Sequence, residues 1–233
     1  MKRPWLLTLV LCALAYSCKK DKDSSMETNI NTSFSEGKQG WSAAFAEYSG
    51  NNPEIYEMEE GLAPLPAPLD ETKQSYRISG SNRSDDLFMY LKRQVSGLQP
   101  NARYEAYFEV EIASSAPDSG VGAGGAPGEG VGVGIGMTVE EPVAAPDENN
   151  FYRMNIDKIN QCCTDGTDMI VAGNLANGGS EYVYRLIKRT GTFSATADAE
   201  GKLWLIVGTD SGFEGVTTIY YTKINVRLKQ LAQ

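Results

Sequence analysis

Carboxylates are the groups most available for chemistry in this 233-residue chain, and they recur in close pairs: Asp85 with Asp86, Glu140 with Glu141, Asp165 with Asp168, and Asp210 with Glu214. Histidine is absent. A Ser-His-Asp or Cys-His relay, an imidazole general base near neutral pH, and a zinc or iron site built on imidazole are therefore excluded. Glycoside hydrolysis needs only two acids about 5 to 9 Å apart. Asp85, Asp86, Asp210 and Glu214 are the acids on which that chemistry would fall, although thirty acids in one chain make such pairs easy to find by accident. Oxygen-only ligands also suit calcium. TDGTD (164–168) sets Asp165 and Asp168 three apart across a glycine turn, and DSGFEG (210–215) offers Asp210 and Glu214. The alternative is a pair of solvated turns, since no segment has the twelve-residue EF-hand spacing.

Sulfur chemistry is confined to few positions. Cys12 and Cys18 fall within the first eighteen residues, which leaves Cys162 and Cys163 as an adjacent pair in the body. Neighbouring Cα atoms lie about 3.8 Å apart, below the usual disulfide span of about 4.4 to 6.8 Å. A vicinal disulfide is tight but feasible in an oxidising compartment, where it would form a rigid turn with an apolar S–S face; two reduced thiols are the alternative. For recognition without reaction, a sugar needs an aromatic platform with polar groups at its rim. Tyr107 beside Glu105 and Glu109, with Tyr221 beside Lys223 and Asn225, fits that description, and ordinary strand packing is the competing explanation. Trp41 and Trp204 read as core.

The N-terminus gives an address. Lys2 and Arg3 precede an apolar run from Trp5 to Leu14, followed by Ala15 and Ser17 just before Cys18. This is the pattern of a secretory signal, and its apolar run is too short to span a bilayer. A cysteine directly after the small-residue cleavage site resembles the lipobox of bacterial lipoproteins, in the looser form of Bacteroidetes-like bacteria. The resemblance implies lipidation of Cys18 and an envelope location, most simply the outer membrane, with the leaflet left open. Residues 1–17 would be the signal, 18–31 a polar, flexible tether, and 32–233 the folded body. Cleavage before Cys18 leaves a net charge of −11. So acidic a chain argues against nucleic acid and against membrane contact other than through the lipid.

The elements that must position these groups are strands. In 103–112, Tyr104, Ala106, Phe108, Val110 and Ile112 share one face while Glu105, Tyr107, Glu109 and Glu111 share the other. The C-terminal run is expected to set Tyr220, Ile224, Val226 and Leu228 against Tyr221, Lys223, Asn225 and Arg227. Leu203 to Val207 is apolar on both faces, as a strand covered on both sides would be. Further strands are expected at 40–47, 54–59, 75–79, 86–96, 130–140, 151–156, 168–173, 181–188 and 192–196, separated by turn signals such as SGNNP, PDSG and NGG. The glycine-rich stretch 119–136 lacks the Gly-Lys-Ser/Thr of a P-loop and the helix of a dinucleotide loop. It reads as a loop, then a strand with Gly132, Gly134 and Gly136 on one bare face under a bulky neighbour such as Trp41 or Trp204. Leu98, Pro100 and Tyr104 have the spacing of a tyrosine corner.

A dozen short strands argue an all-β fold: a single β-sandwich of jelly-roll or Greek-key type. The segments F34…G40-W41…F45, VSGLQPNARYEAYFEVEI and LWLIVGTDSGFEGVTTIYYTKINVRL resemble the galactose-binding-like jelly rolls of carbohydrate-binding modules. SDDLFMYLKR, GGAPGE and GTDSGFEG resemble an uncharacterised family of secreted bacterial proteins. The first resemblance implies a glycan partner, with Tyr107, Glu105, Glu109, Tyr221, Asp85 and Asp86 as ligand-binding candidates. The expectation is therefore a lipid-anchored envelope protein that binds glycan without catalysis of its own. A structural or adhesive surface protein that binds other proteins is the second reading, and a histidine-free glycoside hydrolase the third.

Overall fold

A computed structural model describes residues 27–232. The signal, Cys18 and the start of the tether lie outside the described residues. Fourteen strands account for nearly all regular structure: β1 (Glu27–Ser33), β2 (Ser42–Ala46), β3 (Tyr48–Ser49), β4 (Glu59–Pro64), β5 (Gln74–Ser81), β6 (Phe88–Val95), β7 (Arg103–Ser114), β8 (Val131–Thr138), β9 (Ala144–Pro146), β10 (Phe151–Met154), β11 (Met169–Asn174), β12 (Arg185–Thr196), β13 (Leu203–Ser211) and β14 (Val216–Gln230). Only two short 3-10 turns, Phe34–Glu36 and Pro53–Tyr56, interrupt them among the described residues.

The strands form an all-β sandwich. The first sheet runs β12-β7-β14-β5-β4 with β1 also paired to β14, and the second runs β11-β8-β13-β6-β2. From β5 to β8 and from β11 to β14, each consecutive strand crosses to the opposite sheet, the alternation that defines a jelly roll. Between the sheets lie Phe108, Val110 and Ile112 of β7, Ile224 and Val226 of β14, Val133 and Ile135 of β8, and Leu205 and Val207 of β13. Each is sealed from solvent or nearly so, and burial of a side chain of this size contributes about 1.5 to 3 kcal/mol. The tyrosine corner is present where the chain passes from β6 to β7: the Gln99 N–H donates to the Tyr104 phenol oxygen at 2.8 Å.

A third layer roofs the second sheet. The connection from Val139 to Asp168 carries β9 and β10, which pair with β3 from the other end of the chain in a small sheet, and closes a second apolar cluster of Ala46, Phe88, Tyr90, Ile156, Ile159, Met169 and Ile206. Ile206 is thus buried on the face opposite Leu205 and Val207, as a strand covered on both sides requires. The bare glycine face of β8 meets this roof rather than Trp41 or Trp204. A Cβ on Gly132 would land on the carbonyl oxygen of Gln161, and one on Gly136 on that of Asp168. Glycine is what lets the roof backbone approach so closely.

Several expectations are corrected. The tether does not extend to residue 31, because β1 begins at Glu27 and pairs along its whole length with β14, burying Ile30 and Thr32. The 54–59 segment is a 3-10 turn opened by Pro53, with β4 following it. The segments 181–188 and 192–196 are joined in one strand, since β12 runs unbroken through Arg185–Thr196 against β7. In β14 the register slips between Tyr221 and Lys223. This bulge reverses the alternation, so Ile219 and Tyr221 join Ile224 and Val226 in the core and Tyr220 turns outward.

Candidate functional site

A cleft with an apolar floor and a polar rim opens at one end of the sandwich. There β8 leaves its sheet, β7 begins, β12 ends and the roof returns to β11. Its volume is about 490 Å³. Met137, Ile156 and the partly exposed ring of Phe193 give apolar surface, while Arg103, Glu140, Asp168, Ser194 and Thr196 give charge and hydroxyls. The walls are fixed by backbone bonds. Asp168 Oδ2 accepts from the Asp157 N–H at 2.9 Å, and Asp157 Oδ2 accepts from the Thr167 N–H at 2.8 Å, which cross-ties the two ends of the roof loop. Thr138 donates to the Glu140 carbonyl at 2.7 Å and shapes the turn that presents the Glu140 side chain. Arg103, Glu140 and Asp168 enter no ion pair among the described residues, so their charges remain available.

Two of the acids expected at a site meet elsewhere, around Lys158. Its ammonium donates to Asp210, to Asp86 at 3.3 Å and to the Ile159 carbonyl at 3.3 Å, above the Phe88 ring. Burial pushes the Asp210 carboxyl up to about 8; Lys158 opposes the shift and the neighbouring Asp86 adds to it. Burial works against the charge on Lys158, but Asp210 and Asp86 outweigh it and hold its pKa above the ordinary value. Asp210 has no exposed surface, so it cannot touch a sugar or a substrate water. Asp85 lies exposed beside this cluster, its carbonyl accepting from the Gln161 side chain at 3.1 Å.

The remaining candidates scatter. Asp165 Oδ1 accepts from the Val171 N–H at 2.7 Å and Asp168 is tied to Asp157, while exposed Glu214 belongs to a different turn. No grouping of three or more His, Cys, Asp or Glu side chains suited to a metal occurs among the described residues, so Asp165, Asp168, Asp210 and Glu214 do not converge on calcium. Cys162 and Cys163 form a vicinal disulfide at the tip of the roof loop. Tyr107 stands on the wet face of the first sheet between Glu105 and Glu109, with the Arg227 guanidinium 5.6 Å from its ring centre. Tyr221 cannot serve as a platform, being fully buried by the β14 bulge. Trp41 is core, but Trp204 is a correction: it lies partly exposed on the outer face of its sheet under Lys92.

Sequence reasoning overlooked the cleft. Glu140 and Asp168 were visible only as members of local acid pairs, and Arg103 and Phe193 only as ends of strands. The one available signal was Phe193, an aromatic ring near the end of its strand, which packs half-buried against the core.

No protein-family model matches the chain, and no curated protein matches it. Among solved structures it is similar to the family 27 carbohydrate-binding module of Caldicellulosiruptor saccharolyticus solved with mannohexaose (11% identity, 85% of this chain and 96% of that one, TM-score 0.41). It is also similar to the adhesin domain K1 of Lys-gingipain from Porphyromonas gingivalis (12%, 85% and 97%, 0.34). A third is the enzymatically active domain of bacteriophage CBA120 tailspike protein 4 (9% identity, 80% of this chain, TM-score 0.34), of whose length this chain spans 19%.

Proposed function

We propose that this chain is a glycan-binding β-sandwich module without catalysis of its own, held at the cell envelope by a lipid on Cys18. The observation that carries the binding half is the 490 Å³ cleft, where the exposed part of Phe193 lies among hydroxyls and unpaired charges. A sugar presents an apolar face to a ring and hydroxyls to such a rim. Tyr107 with Glu105 and Glu109 is proposed as a second, flatter platform on the wet face. The lipid half rests on the sequence around Cys18 alone.

A glycan array probed with the mature chain, followed by titration of the sugars it retains, tests the reading. Phe193→Ala is expected to weaken binding about tenfold through the lost ring contact. A flat array, with protein partners still captured, would replace it with an adhesive role. For the anchor, Cys18→Ser is expected to release the protein into the soluble fraction, and unchanged membrane association overturns it.

One observation favours hydrolysis as a second reading: the same cleft has two acids on its rim, Glu140 and Asp168. Turnover of an oligosaccharide by the wild type, lost in Glu140→Gln, would convert the module into a hydrolase.

A further inference from the structure

Resting on the glycan reading of the cleft, we infer that the sugar it accepts is uncharged or carries a free amine, and that uronate, sulfate and phosphate esters are rejected. Three observations lead there. The rim carries two carboxylates, Glu140 and Asp168, against one guanidinium, Arg103, and none of the three is neutralised by an ion pair among the described residues. One carboxylate oxygen of Asp168 is occupied by the Asp157 N–H, which fixes the group in place and leaves the other oxygen to meet a donor from the ligand. The protein around the cleft adds to the same field: residues 27–233 hold 28 acidic against 16 basic side chains, a net charge of −12.

The chemistry follows from the sign. A sugar hydroxyl or ammonium donates to a carboxylate, and an ammonium gains a charge-assisted bond in doing so. An anionic substituent has only Arg103 to pair with and must enter against both acids and the net field. Rejection of like charge is the cheaper route to selectivity, because it needs no tailored contact with the favoured sugar.

The test compares three oligosaccharide series of matched length and linkage: a neutral hexose, its 2-amino-2-deoxy analogue and its uronate. At about 0.01 M salt, where the screening length is about 30 Å, the amine series is expected to bind at least about tenfold more tightly than the uronate series, with the neutral series between them. Raising the salt to about 0.15 M shortens that length to about 8 Å and should compress the ratio. The double variant Glu140→Gln, Asp168→Asn should compress it at low salt as well, while Arg103→Ala should widen it. Asparagine at 168 keeps an acceptor for the Asp157 N–H, and the thermal melt of each variant controls for folding. Uronate binding equal to or tighter than amine binding overturns the inference, as does a ratio that survives the double variant. Failure of all three series to bind overturns the glycan reading beneath it, and the preference with it.

Discussion

The Tyr104 phenol oxygen and the Gln99 N–H are joined by a 2.8 Å hydrogen bond across the arch between the two sheets, with the tyrosine ring sealed in the core. Tyr104→Phe keeps the ring and removes the acceptor, stranding a partly buried donor. A loss of about 1 to 2 kcal/mol in denaturant unfolding is expected. An unchanged midpoint would mean that water replaces the phenol.

Tyr221 gives the opposite result from the same substitution. Its hydroxyl is buried without a hydrogen-bond partner among the described residues, and burial raises its pKa well above the ordinary value. Tyr221→Phe removes an unsatisfied polar group and should leave stability unchanged or raise it by up to about 1 kcal/mol. Urea melts of the two variants side by side make the comparison, and equal losses would contradict it.

The Lys158–Asp210 pair predicts a pH dependence whose sign can be worked out. The Asp210 carboxyl titrates at about 8 in the folded chain against an ordinary 3.8, so between those values the folded chain holds a proton that the unfolded chain has released. Stability from this group is therefore full below about pH 4 and declines as pH rises to about 8. The melting temperature of the wild type should carry that decline, and Asp210→Asn should flatten it. At about pH 9, Lys158→Met leaves a buried carboxylate without its cation and should cost about 3 to 5 kcal/mol, most of it recovered by adding Asp210→Asn. A Lys158→Met protein as stable as the wild type at that pH would refute the buried pair.

Alanine along the β8 glycine face should be graded by what it strikes. At Gly136 the new methyl meets the Asp168 backbone, which cannot turn aside, whereas at Gly134 its nearest neighbours are the flexible ends of Ile159 and Met169, at 2.9 and 3.0 Å. Overpacking a core costs about 1 to 3 kcal/mol, and Gly136→Ala should fall at or beyond the top of that range, with Gly134→Ala nearer the bottom. Thermal melts that rank the two in the other order would show that the roof yields.

These contrasts also mark what was readable from sequence. Strict alternation in β7 and the doubly apolar run of β13 report local environments, and both emerge as read apart from the partly exposed Trp204, as does the Leu98-Pro100-Tyr104 corner. The β14 bulge was not readable. One extra residue at Thr222 inverts every side chain before it, and nothing in TIYYTKIN distinguishes an inward Tyr221 from an inward Tyr220. β1 was hidden for a related reason: Ile30 is its one large apolar residue, and its place in the sheet comes from pairing with a partner nearly two hundred residues away. The cleft was least readable of all, since Arg103, Glu140, Asp168 and Phe193 come from four separate segments and share nothing in sequence.

The cleft depends on the roof. Met137 and Phe193 belong to the two main sheets, but Ile156 and Asp168 come from the long connection that packs onto the second sheet from outside. Both main sheets can stay paired without this layer, but the cleft cannot: displacing the roof alone would remove half of its wall.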